Sequence, residues 1–382
     1  MSGIYVHIPF CKQACSYCNF HFHTSLKRKN ELVEALLAEL ELRRDYLNTG
    51  RVETVYFGGG TPSLLEPREV QALADKISAV FELDETAEIT LEANPDDITH
   101  EKLKQWKESG INRLSIGIQS FFDDDLRWMN RSHDSKQAME SLELAKKCFN
   151  NITIDLIYGS PAMTDEKWKS NIERAIRFDV PHISCYALTV EAKTPLYKMI
   201  RKEMSEDVDP EKQSRQFLLL MDMMSDAGYE HYEISNFAKP AYRSRHNSSY
   251  WSNDATGERI KYLGVGPSAH SFDGTSRQWN VSNNHVYIDS IRKGTVPFEM
   301  ESLTAAQQVN ECIMTSLRTL EGLDLGVVKK GNAMDLVLAA SKKFIERGFL
   351  VKQDNHLLLT REGKLLADGI ASELFLPEKV SC

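Results

Sequence analysis

Short apolar runs alternate with longer amphipathic stretches over the first 190 residues of the chain. Runs rich in β-branched and aromatic residues predict six strands, and apolar positions three and four residues apart predict the helices between them. Repeated strand–helix–strand order is typical of a parallel sheet covered by helices. The sequence therefore predicts an α/β fold, an open, partial (β/α)6 barrel whose ligand site gathers at the carboxyl ends of the strands. The predicted strands are 4–8, 53–57, 88–92, 113–118, 152–158 and 182–188, and the predicted helices are 31–46, 67–81, 100–109, 135–149 and 165–178.

Five unusual features accompany these predicted strands. A loop with three cysteines follows the first strand, and the run Gly-Gly-Gly-Thr-Pro at 58–62 follows the second. Glu92 ends the third strand, Gln119 follows the fourth, and Asp155 lies within the fifth. Because the carboxyl ends of parallel strands meet at one face, we expect these features to converge on one site.

The pattern changes twice in the second half of the chain. A predicted helix at 210–226 leads to a polar, aromatic stretch that extends to about residue 300. Two further helices and a short hairpin then resemble a winged-helix module, but residues 301–382 carry 11 acidic and 10 basic side chains, which favours a lid or a protein contact over DNA. We therefore predict a barrel core at 1–230, a connecting segment at 231–300 and a winged-helix-like domain at 301–382.

Composition limits the class of protein. A chain of 382 residues with 42% hydrophobic and 26% charged residues is typical of a globular protein of more than one domain. A net charge of −9 argues against general nucleic-acid binding, which depends on neutralising phosphates. No apolar run is long enough to span a membrane and the chain does not begin like a signal peptide, so we expect a cytoplasmic protein.

Three of the seven cysteines lie within eight residues, in the pattern C-x3-C-x2-C formed by Cys11, Cys15 and Cys18. Three thiolates can hold three irons of a [4Fe–4S] cluster and leave the fourth iron open to a small chelator. Zinc is the alternative, because the last two cysteines have zinc-like spacing and a histidine could complete the site. The absence of a second Cys or His pair at finger spacing downstream favours the cluster. The histidines close enough in sequence for zinc are His7, His21 and His23.

With these motifs the chain resembles the radical S-adenosylmethionine (SAM) superfamily, and more narrowly the oxygen-independent coproporphyrinogen III oxidase family. The cysteine loop, with Tyr17 before its last cysteine, and the glycine run at 58–62 carry the resemblance. It implies a TIM-like radical SAM barrel with a [4Fe–4S] cluster and SAM as cofactors. Further matching segments are 91–95, 113–120, 130–131, 155–159 and 263–269.

The resemblance also implies roles for individual residues. The amino and carboxylate groups of SAM would chelate the open iron, and Gly59, Gly60 and Thr61 would lie along the methionine moiety, where a Cβ would prevent close approach. His270 would face the cofactor. Structural alternatives stay open: a simple turn for the glycines, a buried ion pair or cap for the acids, and a surface salt bridge for the arginine. The other implied cofactor-binding residues are Tyr5, Tyr17, Glu92, Gln119, Arg131 and Asp155.

Two departures from the oxidases make the chain similar to the HemW-type heme chaperones. Phe20 stands where the oxidases carry a fourth cysteine, and Cys11 is almost terminal where they have several tens of preceding residues. The stretch from His246 to Trp251 fits the H-N-x-x-Y-W motif associated with heme binding in that subgroup. Histidine is a common axial heme ligand, and Tyr250 and Trp251 offer flat aromatic surface. An ordinary polar turn packed by two aromatic rings is the alternative.

We therefore expect a radical SAM protein of HemW type that binds heme and delivers it to an acceptor, a membrane heme protein. Two alternatives are kept. The first is the oxygen-independent oxidase that decarboxylates two propionates of coproporphyrinogen III, against which Phe20 argues. The second is a radical SAM enzyme that acts on another substrate.

Overall fold

The computed structural model describes residues 2–48, 51–253, 259–328 and 333–377. Six parallel strands form the centre of its main sheet, adjacent in chain order. Helical segments connect them and pack outside the sheet. The predicted partial (β/α)6 barrel is thereby confirmed. These strands are β1 (Ser2–Ile8), β2 (Val52–Gly59), β3 (Leu83–Ala93), β4 (Arg113–Gln119), β5 (Ile152–Tyr158) and β6 (His182–Ala187).

Shorter strands extend both edges of the parallel barrel. They are β7 (Glu230–Glu233), β8 (Asn236–Ala238), β9 (Lys261–Val265), β10 (His270–Phe272), β11 (Ser276–Asn280) and β12 (Phe298–Ser302). β9 pairs parallel with β1, and β10, β11 and β12 continue from it antiparallel. At the other edge, β8 pairs antiparallel with β6, and β7 pairs with β8. Residues 231–300, predicted to be a connecting segment, therefore contribute strands to both edges of the main sheet.

The helices cover the outer face of the barrel because the strands present continuous apolar side chains there. Ile4, Val6 and Ile8 of β1 are fully buried against the apolar face of the first helix, whose buried residues include Leu32 and Leu36. The helices between residues 29 and 291 are α1 (Lys29–Leu42), α2 (Pro67–Val80), α3 (His100–Glu108), α4 (Asp123–Trp128), α5 (Ser135–Cys148), α6 (Asp165–Arg177), α7 (Pro195–Arg201), α8 (Pro210–Asp226), α9 (Arg245–Trp251) and α10 (Asn284–Ile291). None of the described helices is long and apolar enough to cross a membrane.

The last part of the chain forms a module with its own apolar core. It comprises α11 (Ala305–Ser316), β13 (Leu323–Asp324), α12 (Ala333–Glu346), β14 (Leu350–Gln353), β15 (His356–Leu359) and α13 (Ala367–Glu373). A capping box starts α11, with reciprocal hydrogen bonds between Thr304 and Gln307. β14 and β15 form a hairpin whose turn contains Asp354 at a φ of 50°. The predicted order of helices followed by a hairpin is present.

Alternation along the parallel strands turns a second set of side chains into the barrel. On β1, Tyr5 lies between Ile4 and Val6 and lines a cavity inside the barrel, whereas its two neighbours face the helices. The same alternation brings Glu92 of β3 and Asp155 of β5 to the interior. Inward positions of several strands thus build one site.

Candidate functional site

A cavity of about 480 Å³ opens at the carboxyl ends of the parallel strands. It is lined by twelve of the sixteen residues that the sequence and its resemblance assign to metal, cofactor or heme binding. The expected convergence of distant sequence features therefore takes place. The twelve residues are Tyr5, Cys11, Cys15, Tyr17, Cys18, Gly59, Gly60, Thr61, Glu92, Gln119, Arg131 and Asp155.

The cysteine loop follows β1 and is attached to the rest of the barrel by main-chain hydrogen bonds. Cys11 N–H donates to the carbonyl of His23 at 3.1 Å, and Ser16 N–H donates to the carbonyl of Met129 at 3.1 Å. The side-chain amide of Asn130 donates to the carbonyl of Ala14 at 2.7 Å. The loop is therefore held at its first cysteine and in its middle, which restricts the positions of its thiols.

The three thiols suit a multi-iron cluster. Cys11, Cys15 and Cys18 are half-buried around the cavity, and no three His, Cys, Asp or Glu side chains in the described ranges converge on a point that could hold one metal ion. A cluster needs its thiolates on three separate irons, whereas zinc needs its ligands around a single centre. Burial raises the pKa of the Cys11 thiol to about 11, so a bound metal would be required to keep it as thiolate near neutral pH.

Two histidines proposed for the zinc alternative are already hydrogen-bonded within the protein. The ring nitrogens of His7 lie 3.0 Å from the hydroxyl of Tyr5 and 3.0 Å from the carbonyl of His21. The ring of His21 bonds to the side chain of Asn284 at 2.8 Å. These contacts favour the cluster over zinc.

Arg131 joins the cysteine loop to the barrel and brings a positive charge to the cavity. Its guanidinium donates to Cys15 Sγ at 3.4 Å, to Asn94 Oδ1 at 2.9 Å and to the carbonyl of Gly117 at 3.0 Å. Among the described residues it has no carboxylate partner, and its buried Nε–H has no hydrogen-bond acceptor. The alternative reading of Arg131, a surface salt bridge, is therefore not what the described residues show. A half-buried arginine of this kind fits the carboxylate of a ligand such as SAM.

The glycine run packs against the base of the cysteine loop. Gly60 N–H donates to the carbonyl of Ile8 at 2.9 Å. A Cβ on Gly60 would lie 2.6 Å from the carbonyl oxygen of Phe10, and a Cβ on Gly59, whose φ is 111°, would lie 2.5 Å from the ring of His7. The protein's own packing thus requires glycine at both positions, in addition to any ligand.

Two carboxylates, of Glu92 and Asp155, also line the cavity. Glu92 accepts hydrogen bonds from the hydroxyl of Tyr56 at 2.8 Å and from Gly59 N–H at 3.0 Å. Burial raises the pKa of both acids; that of Asp155 rises to about 7, helped by the neighbouring charge of Glu92. Neither acid forms an ion pair within the described chain, so both can accept hydrogen bonds from hydroxyl or amino groups of a ligand.

The H-N-x-x-Y-W motif lies elsewhere. It forms α9 at the opposite ends of the strands, where His246 bonds to Thr54, five residues before Gly59 and about 16 Å from it along β2. Trp251 lines a separate cavity of about 350 Å³ against the C-terminal module, beneath the guanidinium of Arg318 at 5.4 Å. A direct role of this motif in heme binding stays a prediction.

The sequence motifs did not predict correctly where several other residues lie. His270 is exposed beside Trp279 and does not line the cysteine-lined cavity. Tyr56, Gly117 and Tyr186, which sequence reasoning passed over, point into the barrel. The alternation of side chains between the two faces of a strand could have identified them, because each lies two residues from another inward-facing position.

Comparison with known proteins bears on the family and the fold of the chain. The radical SAM superfamily model matches residues 5–175, and the HemN C-terminal domain model matches residues 303–366. The solved structure of coproporphyrinogen III oxidase (HemN) from Escherichia coli, described as a radical SAM enzyme, aligns with a TM-score of 0.84 at 22% identity, over 98% of this chain and 90% of that one. The fold and the cysteine-lined cavity define a radical SAM protein.

Relatives that match nearly the whole length of the chain identify its family within the radical SAM proteins. The chain is 35% identical to heme chaperone HemW of Bacillus subtilis (strain 168), over 97% of this chain and 98% of that protein. It is 33% identical to heme chaperone HemW of Mycobacterium tuberculosis (strain ATCC 25618 / H37Rv), over 97% of this chain and 94% of that protein. The chain belongs to the HemW family.

Proposed function

We propose that this protein is a heme chaperone that carries a [4Fe–4S] cluster and SAM in the barrel cavity and delivers heme to an acceptor, a membrane-bound heme protein. The observation that carries the cofactor assignment is the meeting of three half-buried thiols with the glycine run, an arginine and two carboxylates in one cavity. Heme as the cargo is supported by the names of the relatives.

In this proposal Cys11, Cys15 and Cys18 hold three irons of the cluster, which leaves one iron to be chelated by the ligand. Arg131 accepts the ligand carboxylate, and Glu92 and Asp155 accept hydrogen bonds from its amino or hydroxyl groups. The cluster, when reduced, supplies the electron that radical SAM chemistry requires. The chain's own residues bind the ligand, orient it and exclude water from it.

The oxidase alternative is disfavoured by Phe20. Its side chain is 67% exposed at the cavity, in a position where the oxidases are expected to have a fourth cysteine. An exposed aromatic ring at this opening cannot ligate iron. We also propose a cytoplasmic location, where free thiols persist.

Anaerobic reconstitution with iron and sulfide tests the cofactor assignment. The reconstituted protein should hold one [4Fe–4S] cluster per chain, and SAM should change the electron paramagnetic resonance (EPR) signal of the reduced cluster. A protein that takes up a cluster but shows no response to SAM would contradict the proposed site. Heme titration of the same sample, followed by the Soret band, tests the cargo.

A further inference from the structure

The helix that contains the H-N-x-x-Y-W motif closes the amino-terminal end of the barrel. The carboxylate of Glu88, at the start of the inward face of β3, accepts the backbone N–H groups of Arg245 at 3.1 Å and His246 at 3.0 Å. His246 is 1% exposed. His246 therefore lies in the barrel interior.

Both ring nitrogens of His246 already have partners. Nδ1 lies 2.9 Å from the hydroxyl of Thr54, and Nε2 lies 2.9 Å from the hydroxyl of Tyr250. Burial lowers the pKa of His246 to about 3, so the ring is neutral, with one nitrogen donating and the other accepting. In this arrangement neither nitrogen is available to an iron.

The ring of His246 instead supports the residues beneath the cofactor cavity. It stacks on the ring of Tyr56, with centroids 4.9 Å apart and planes inclined by 22°. The hydroxyl of Tyr56 donates to Glu92 at 2.8 Å. A continuous set of contacts thus leads from His246 through one aromatic ring to a carboxylate of the site.

The main chain around this ring is adapted to its size. A Cβ on Gly3 would lie 2.7 Å from Thr54 Oγ1 and 3.4 Å from the ring of His246. Tyr5, which also lines the cofactor cavity, stacks on Tyr56 with centroids 6.1 Å apart. Tyr56 is therefore confined between neighbouring rings, and removing one of them would free it to move.

We propose that His246 is a positioning residue of the SAM site, which fixes Tyr56 and through it Glu92, and that it does not ligate heme iron. The inference rests on the proposed function, because it assigns SAM to the cavity that Glu92 lines. The H-N-x-x-Y-W motif suggests that His246 ligates heme iron, whereas the hydrogen bonds of its ring support the positioning role.

The test compares His246→Ala, His246→Gln and Thr54→Val with the wild type after anaerobic reconstitution. SAM affinity is measured by equilibrium dialysis, the reduced cluster by EPR with and without SAM, and heme binding by Soret titration. His231→Ala is the control, since His231 is a half-buried histidine stacked on an aromatic ring, with its ring centroid 4.2 Å from that of Phe237, but at the other edge of the sheet.

His246→Ala should raise the Kd for SAM about tenfold, the equivalent of one net hydrogen bond of about 1.4 kcal/mol, and alter the SAM-dependent EPR signal. His246→Gln, whose amide can both donate and accept, should restore most of the affinity. Thr54→Val removes one hydrogen bond without leaving a cavity and should raise the Kd for SAM about threefold. Iron content and the heme titration should match the wild type in all three variants, and His231→Ala should leave SAM binding unchanged.

The inference is overturned if His246→Ala and His246→Gln lose or shift the Soret band while their Kd for SAM equals that of the wild type. It is also overturned if His231→Ala weakens SAM binding as much as His246→Ala, because the effect would then follow from general loss of stability. A wild type that binds heme but no SAM would instead refute the proposed function at its SAM site.

Discussion

Replacing Gly60 by alanine should disturb the cluster site through the protein's own backbone. The added Cβ would lie 2.6 Å from the carbonyl oxygen of Phe10, 2.9 Å from the nitrogen of Phe10 and 2.9 Å from the carbonyl oxygen of Ile8. All three contacts are main-chain atoms, which cannot rotate away as a side-chain end can. Phe10 is followed directly by Cys11, so a shift that relieves the overlap moves the first thiol of the loop.

The size of the expected loss in unfolding free energy follows from the overlap between the added Cβ and the backbone. Relief requires a backbone displacement of about 0.5 Å, and overpacking of this kind costs about 1–3 kcal/mol of unfolding free energy. Gly60→Ala should therefore unfold at a lower temperature, reconstitute with less than one cluster per chain and bind SAM more weakly. Thermal unfolding, iron and sulfide analysis and equilibrium dialysis measure the three effects.

Gly369→Ala provides the control for this substitution. Gly369 lies in α13, and a Cβ there would meet no atom within 4 Å. Alanine is the better helix former by about 1 kcal/mol, so this variant should be as stable as the wild type or more so and should reconstitute normally. If Gly60→Ala matched Gly369→Ala in stability, cluster content and SAM affinity, the packing argument at the glycine run would be refuted.

Further predictions concern the thiols and the buried acid. Alanine in place of Cys11, Cys15 or Cys18 should abolish the cluster, because the two remaining thiolates cannot hold it. The control variant, Cys148→Ala on α5, should keep its full iron content. A variant of the cysteine loop that still binds four irons per chain would contradict the ligand assignment. Asp155 has a folded-state pKa of about 7, above its ordinary value, so the folded state binds the proton more tightly than the unfolded state does. The free energy of unfolding of the wild type should therefore fall as the pH rises from about 4 to 7, by up to about 4 kcal/mol. Asp155→Asn should lack this loss and be the more stable form at about pH 8; equal pH dependence of unfolding in both proteins would show that the acid is not buried as described.

The parallel barrel and most of its cavity were predictable from local sequence signals. Along the strands, apolar side chains that face the helices alternate with polar or functional side chains that face the interior. The alternation that predicts a strand therefore also predicts the direction of Tyr5 and Glu92. Parallel order then places the loop ends together. The twelve residues at the cavity follow from those two rules and the family resemblance.

Long-range packing was not predictable in the same way. The strands at 230–238 and 261–302 are short, and their pairing with the barrel edges depends on contacts far away in sequence. His246 illustrates the same limit: its motif suggests a ligand, but Thr54 and Tyr56 on β2 determine what its ring contacts. The glycine run was expected to make room for the ligand, and the structure adds the backbone of Phe10 as a second reason.

The central claim, that this radical SAM protein handles heme and does not oxidise coproporphyrinogen, is tested most directly by one paired measurement. Reconstituted protein is given SAM and a reductant without oxygen and is offered either heme or coproporphyrinogen III. We expect a Soret band that saturates at a fixed heme-to-protein ratio, and no decarboxylated porphyrinogen. Turnover of coproporphyrinogen together with an absence of saturable heme binding would contradict it.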